Sequence, residues 1–139
     1  MDAPGCYALT IDGGDFAVTV PDVYTGAWVT GLDGMQAMSV SLDFRYGTSD
    51  MADIRAYVQT SLDDGATAFD VACLVFNTVS DRRAFNLSGT SAAGIVSASD
   101  GFLADNTLLN GLLGNRVRLK LATTGTYQNT VLAGRINVR

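Results

Sequence analysis

The chain has 139 residues, a formal charge of −5 and a mean hydropathy of +0.20. That length suits one domain with a core large enough to need no metal or disulfide; the charge argues against a nucleic-acid binder, and no apolar stretch approaches the ~18 residues that span a bilayer. Every acid is Asp, there is no Glu or His, and Lys120 is the only lysine, so good helix formers are scarce and the chain is predicted to be all-β.

In chain order, Tyr7 to Ile11 and Phe16 to Val20 read as strands around the turn Asp12-Gly13-Gly14-Asp15. The first few residues read either as an ordered arm reaching a neighbour or as a frayed end, with residues 1–20 as the arm's widest extent. Ala27 to Thr30 is a weaker strand, followed by the turn Gly31-Leu32-Asp33-Gly34. Met38 to Tyr46 alternates cleanly. Met38, Val40, Leu42, Phe44 and Tyr46 face one way, and Ser39, Ser41, Asp43 and Arg45 face the other, as in a sheet with one buried side.

Ala56 to Ala72 is the most informative stretch. Ile54, Ala56, Val58 and Thr60 share one face, with Arg55, Tyr57 and Gln59 on the other. Ser61-Leu62-Asp63-Asp64-Gly65 supplies turn chemistry, because Asp caps backbone N–H groups and Gly takes positive φ. Val71 to Phe76 is an apolar run that must be covered on both sides. Ala84 to Leu87 is a short strand entered through Asp81-Arg82-Arg83. Ser88 to Asn115 reads as a long crossover between sheets, and its leucines (103, 108, 109, 112 and 113) predict one short helix or 3₁₀ turn over 103–113. Arg116 to Thr123 is a strand with Val117, Leu119 and Leu121 inside and Arg116, Arg118 and Lys120 outside. The last strand buries Leu132, Ile136 and Val138, with Arg135 and Arg139 outward. About eight strands with one crossover predict a single two-sheet β-sandwich over residues 1–139, of jelly-roll or immunoglobulin-like type.

The chemistry points away from catalysis. Without His, the usual general base near neutral pH is missing. Cys73 lies within the apolar run and reads as a buried thiol, and the spacing to Cys6 favours no disulfide. The adjacent pair Asp63-Asp64 sits in a turn, where Asp is expected on structural grounds, and Asp12, Asp15, Asp63 and Asp64 match no calcium loop. No cofactor, metal or catalytic residue is predicted. The N-terminus has no basic region before an apolar core, so synthesis in the cytoplasm without a signal peptide is expected. Charge is unevenly spread. Residues 1–44 hold six Asp and no basic residue, whereas residues 116–139 hold five of the nine basic residues and no acid. If the last two strands pair, Arg116, Arg118, Lys120, Arg135 and Arg139 share one face, either a solvated edge guarded by charge or a surface that docks on an acidic partner. Sparse charge and positive hydropathy fit either a Gly-, Ala- and Thr-rich surface that is simply polar and uncharged, or a surface partly covered by neighbours in an assembly.

Ser61-Leu62-Asp63-Asp64-Gly65-Ala66-Thr67 resembles the Asp-box of sialidases and other β-propellers, S-x-D-x-G-x-T-W, with Ala68 in place of the Trp. That box is a hairpin device and implies neither a propeller nor sugar cleavage. More broadly, AYVQTSLDDGATAFDVACLVF, RRAFNLSG and RVRLKLATTGTYQNTVLAGRINVR resemble a group of small virion proteins of tailed bacteriophages and prophages. These carry a similar V-Q-T-S-L-D-x-G-x-T hairpin, an apolar strand, and a late R-V-K/R-x-x-x-T-T-G-T-Y hairpin. The resemblance covers residues 38–139; Ala68 and Phe69 stand where the group often has Thr-Trp or Trp. It implies a virion structural protein, best matched by a capsid decoration (cement) protein on the outer surface of the head shell. Its partners would be the major capsid protein and copies of itself, as a homotrimer, with no nucleic acid and no membrane. Tyr7 and Phe16, in the first 20 residues, and the basic C-terminal set are the expected contacts. A tail or neck component is the alternative within the virion. A carbohydrate-binding module is another, with Tyr24, Trp28 and Tyr57 as its aromatic candidates.

Overall fold

The computed structural model describes residues 5–49, 52–90 and 94–139. No helix occurs among them. The first sheet lays β1 (Gly5–Leu9) and β2 (Phe16–Val18) along one side of β12 (Thr130–Val138), followed by β4 (Ala37–Arg45) and β8 (Asp81–Ser88). The second runs β3 (Val23–Thr25), β10 (Arg116–Thr124), β6 (Asp53–Ser61), β7 (Phe69–Phe76) and β9 (Thr107–Leu108). A small ladder of β5 (Thr48–Ser49) with β11 (Tyr127–Gln128) closes one end.

Every pairing is antiparallel, and the pattern selects between the two expected sandwiches. β1 with β12, β3 with β10, β4 with β8, and β6 with β7 are four successive rungs of one long hairpin. Rolling that hairpin up brings β12 against β4 and β10 against β6. The result is a jelly roll, not an immunoglobulin-like fold.

The alternation of the strands dictates the layers. Met38, Val40, Leu42 and Phe44 of β4 and Leu132, Ile136 and Val138 of β12 face Ile54, Ala56 and Val58 of β6 and Val117, Leu119 and Leu121 of β10 across a dry interior. At one end Phe44 stacks on Phe76 at 5.1 Å between ring centroids and meets the edge of Tyr127 at 6.0 Å. Burial pushes the Tyr127 hydroxyl up to about 12, and it donates to the Asn77 carbonyl at 2.9 Å.

Three expectations are corrected. Residues 5–18 are not an arm: β1 and β2 are hydrogen-bonded to β12, and Leu9, Phe16 and Val18 are fully buried. Residues 1–4 lie outside the described residues. The segment 103–113 is not a helix. Asn106 and Gly111 hold positive φ (54° and 103°), which a helix does not admit, and only Leu112 and Leu113 of its leucines pack on the core. Finally, β10 and β12 do not pair. The chain between them turns through Gly125 and Asn129 at positive φ and enters the other sheet. A strand that the sequence pattern did not reveal, β3, takes the place beside β10, and the weaker stretch around Val29 adds one bridge to Val117 on the same side.

Candidate interaction surfaces

The hairpin between β6 and β7 is built as its sequence requires. Ser61 Oγ donates to Asp63 Oδ1 (2.8 Å) and accepts from Gly65 N–H (2.8 Å). Asp63 in turn accepts from Thr67 N–H (2.8 Å) and Thr67 Oγ1 (2.7 Å), which holds its carboxyl below the usual carboxylate range. The aromatic missing at Ala68 is supplied from elsewhere. Trp28 Nε1 lies 3.2 Å from where a Cβ on Gly65 would stand, so the glycine is required both for its φ of +90° and for this approach.

The outer face of the second sheet is covered by the crossover, and a buried polar network holds it there. A β-bulge between β6 and β7 makes Val71 the extra residue and sets Asp70 opposite Gln59. Without the bulge, strict alternation would turn Asp70 to the same side as Leu74, into the core; with it, Asp70 faces outward. Asp70 is 1% exposed. Its carboxylate accepts three successive backbone N–H groups, from Gly101 (2.9 Å), Phe102 (2.9 Å) and Leu103 (3.0 Å), and the Gln59 Nε2 amide (2.8 Å). Gly101 at φ +83° shapes that concave run of donors into an anion nest. Gln59 also donates to Asp100 Oδ1 (2.7 Å) and accepts from Arg118 Nε (2.8 Å), and Lys120 Nζ reaches Asp100 at 2.8 Å. Burial works against the Asp100 charge, but the bonds from Lys120 and Gln59 prevail and keep its carboxyl below its usual value.

The crossover also seals the open side of β7. Asp70 N–H donates to Ser99 O, Leu109 N–H to Val71 O, and Val75 N–H to Asn106 Oδ1. A long strand edge is thereby removed from solvent. Beneath it Cys73 is fully buried, and desolvation pushes its thiol up to about 11. It is free, as is the exposed Cys6 of β1. On top, the crossover presents apolar side chains to solvent: Ile95 is 104% exposed, Phe102 85%, and Val96 and Leu108 lesser fractions.

The outer face of the first sheet is bare. Strand register sets Cys6, Asn137, Ser39 and Asn86 in one row and Ala8, Arg135, Ser41 and Ala84 in the next. Apart from Arg135 these are short side chains, and they leave a groove of about 660 Å³ between β1 and β8. It continues into a hollow of about 190 Å³ lined by Asp43, Arg45, Arg82 and Arg135.

The predicted contact residues therefore divide. Arg116, Arg118 and Lys120 lie on the second sheet; Arg135 and Arg139 belong to the opposite side of the sandwich. The single basic face does not exist, because rolling separates β10 from β12. Arg118 and Lys120 have side chains only 16% and 20% exposed, committed to Gln59 and Asp100. The Arg118 guanidinium also lies 4.4 Å over the Trp28 ring. Arg135 pairs with Asp15 at 3.0 Å. Arg139 is exposed, and its backbone tethers Gln36 and Ala37. Phe16 is core, and Tyr7 is packed against it. The three aromatics considered for sugar stacking are occupied otherwise: Tyr57 is buried, Trp28 lies under Arg118, and the Tyr24 hydroxyl bonds Val20 O.

Reading the sequence alone missed Gln59 with Asp70, since only the bulge aligns them, and missed Phe102 and Ile95. The one available signal was a lone aromatic in an otherwise small and polar stretch, directly after Asp100-Gly101. Among the described residues no group of three His, Cys, Asp or Glu side chains is placed to hold a metal ion. Comparison of the chain with protein-family models, curated proteins and solved structures found no match.

Proposed function

We propose that this chain is a structural protein of a tailed-phage virion, and within it a decoration protein that lies on the outside of the head shell and braces neighbouring major capsid proteins. The observation that carries the reading is the pairing of a rigid, charge-poor jelly roll with apolar side chains held out to solvent, Phe102 foremost. Isolated monomers gain nothing from such groups; repeated lattice contacts do, because each weak contact is multiplied across the assembly. Support also comes from the resemblance over residues 38–139, whose motifs now map onto the hairpin at Ser61–Thr67 and onto β7, β10 and β12.

The reading is tested on particles. Virions assembled with and without the chain are compared by cryo-EM and by quantitative mass spectrometry. A decoration protein gives density outside the shell and on the order of hundreds of copies. About three to twelve copies at the portal vertex assign it to the tail or neck instead. Deleting residues 1–20 is not an informative variant, because it removes two core-forming strands and not an arm.

A further inference from the structure

We propose that the chain assembles head to tail, the crossover of one copy docking with Phe102 and Ile95 leading into the groove on the first sheet of the next copy. Both surfaces are present on one molecule, and they lie on opposite faces of the sandwich. The knob therefore cannot fill its own groove. The groove is floored by the short side chains of Cys6, Ser39, Ser41, Ala84, Asn86 and Asn137, with Arg135 as the one large polar side chain at its wall. The knob is the converse: Phe102, 85% exposed, stands on backbone fixed through three N–H bonds from Gly101, Phe102 and Leu103 to Asp70, and Ile95, earlier in the same crossover, is fully exposed. A rigid anchor loses little freedom on docking, which is what an interface hot spot needs.

Charge agrees in sign. Of the crossover residues 94–113, Asp100 and Asp105 are charged and none is basic. Each carboxylate has an internal cation, Lys120 or Arg55, yet remains 45% and 48% exposed. The groove ends among Arg45, Arg82 and Arg135, with Asp43 and Asp15 in partial answer. Arg82 has no carboxylate partner among the described residues. An interface of two different surfaces closes into a ring when its rotation permits and otherwise extends as a filament. The inference does not rest on the virion reading, since purified protein alone tests it.

Cys6 provides the assay, because it is exposed inside the groove while Cys73 is buried with its thiol pushed up to about 11. Ala104 is exposed two residues beyond Phe102, so Ala104→Cys adds a thiol beside an intact knob. With a short bis-maleimide, A104C should give a ladder of cross-linked species. Mixing C6S/A104C with wild-type protein should give the mixed dimer, and C6S/A104C alone should give none. Phe102→Asp should weaken self-association in sedimentation by about thirty-fold, the effect of losing a strong hot spot. Ser41→Trp, which fills the groove from the other side, should abolish both the ladder and the assembly. Because Phe102 is exposed and Ser41 points outward, circular dichroism should confirm that both variants keep the fold. Cross-linking of wild-type protein through Cys6 alone would mean a two-fold pairing of grooves and would overturn the proposal. So would a wild-type monomer at high concentration, or assembly that F102D leaves unchanged.

Discussion

The two sheets share one core and treat their outer faces in opposite ways. Behind the first sheet no segment of the chain packs among the described residues: short side chains and Arg45, Arg82 and Arg135 face solvent. Behind the second, Tyr57, Gln59, Asp70 and Cys73 are buried, and a long crossover is tied down over them. Buried polar groups explain the difference. Once the bulge turns Asp70 outward under cover, its oxygens must be satisfied, and the backbone of 101–103 does so. Among the described residues the outer face of the first sheet has no buried carboxylate to satisfy, and it is left uncovered. A face left bare is free to meet another molecule, whereas a face sealed by its own chain displays whatever the seal carries.

The sharpest break of this contrast comes from the shared core. Phe44→Ala, beneath both sheets, should cost about 3–5 kcal/mol in urea unfolding. Asp70→Ala should come next, at about 3 kcal/mol, since it leaves several buried donors without an acceptor. In that variant hydrogen exchange should quicken at Gly101–Leu103 and in β7 while β4 and β12 keep their protection; uniform loss would deny that the crossover is a separately anchored layer. Ser61→Ala removes an acceptor from Gly65 N–H inside the hairpin and should cost about 1–2 kcal/mol.

Acid should separate the faces more gently. The folded Asp100 carboxyl titrates below its ordinary value of 3.8. Its contribution is therefore complete at pH 5–7 and is lost as pH falls below about 4, through the lowered folded value. The fluorescence of Trp28, the only tryptophan, should change over that window through Arg118, and Asp100→Asn should remove the transition. Smallest of all, Ser41→Ala on the bare face should alter monomer stability by less than about 0.5 kcal/mol. A larger loss would show that the face is more than open surface.

The strands were legible where alternation was strict. Met38 to Phe44 and Val117 to Leu121 could bury one side only, so their faces followed from composition. The hairpin turn followed as well, because Ser61, Asp63, Gly65 and Thr67 satisfy one another within seven residues. Other features escaped because their partners are far apart. β3 is three residues long and exists through its contact with β10, about a hundred positions away. The leucines of 103–113 showed helical spacing, yet the backbone of 107–109 is hydrogen-bonded to β7, more than thirty positions earlier, and Asn106 and Gly111 hold positive φ.

The amino-acid sequence alone determined the class of this protein, the inward and outward sides of its long strands, and the β6–β7 turn, since each depends on residues close together along the chain. Tertiary structure alone decided which strands are neighbours, that Arg118 and Lys120 serve an internal network while Arg135 stands on the other side, and that Phe102 is left in solvent. Those outcomes depend on how the hairpin rolls and where one extra residue shifts the register. Both are set by the packing of distant segments, which no local pattern encodes.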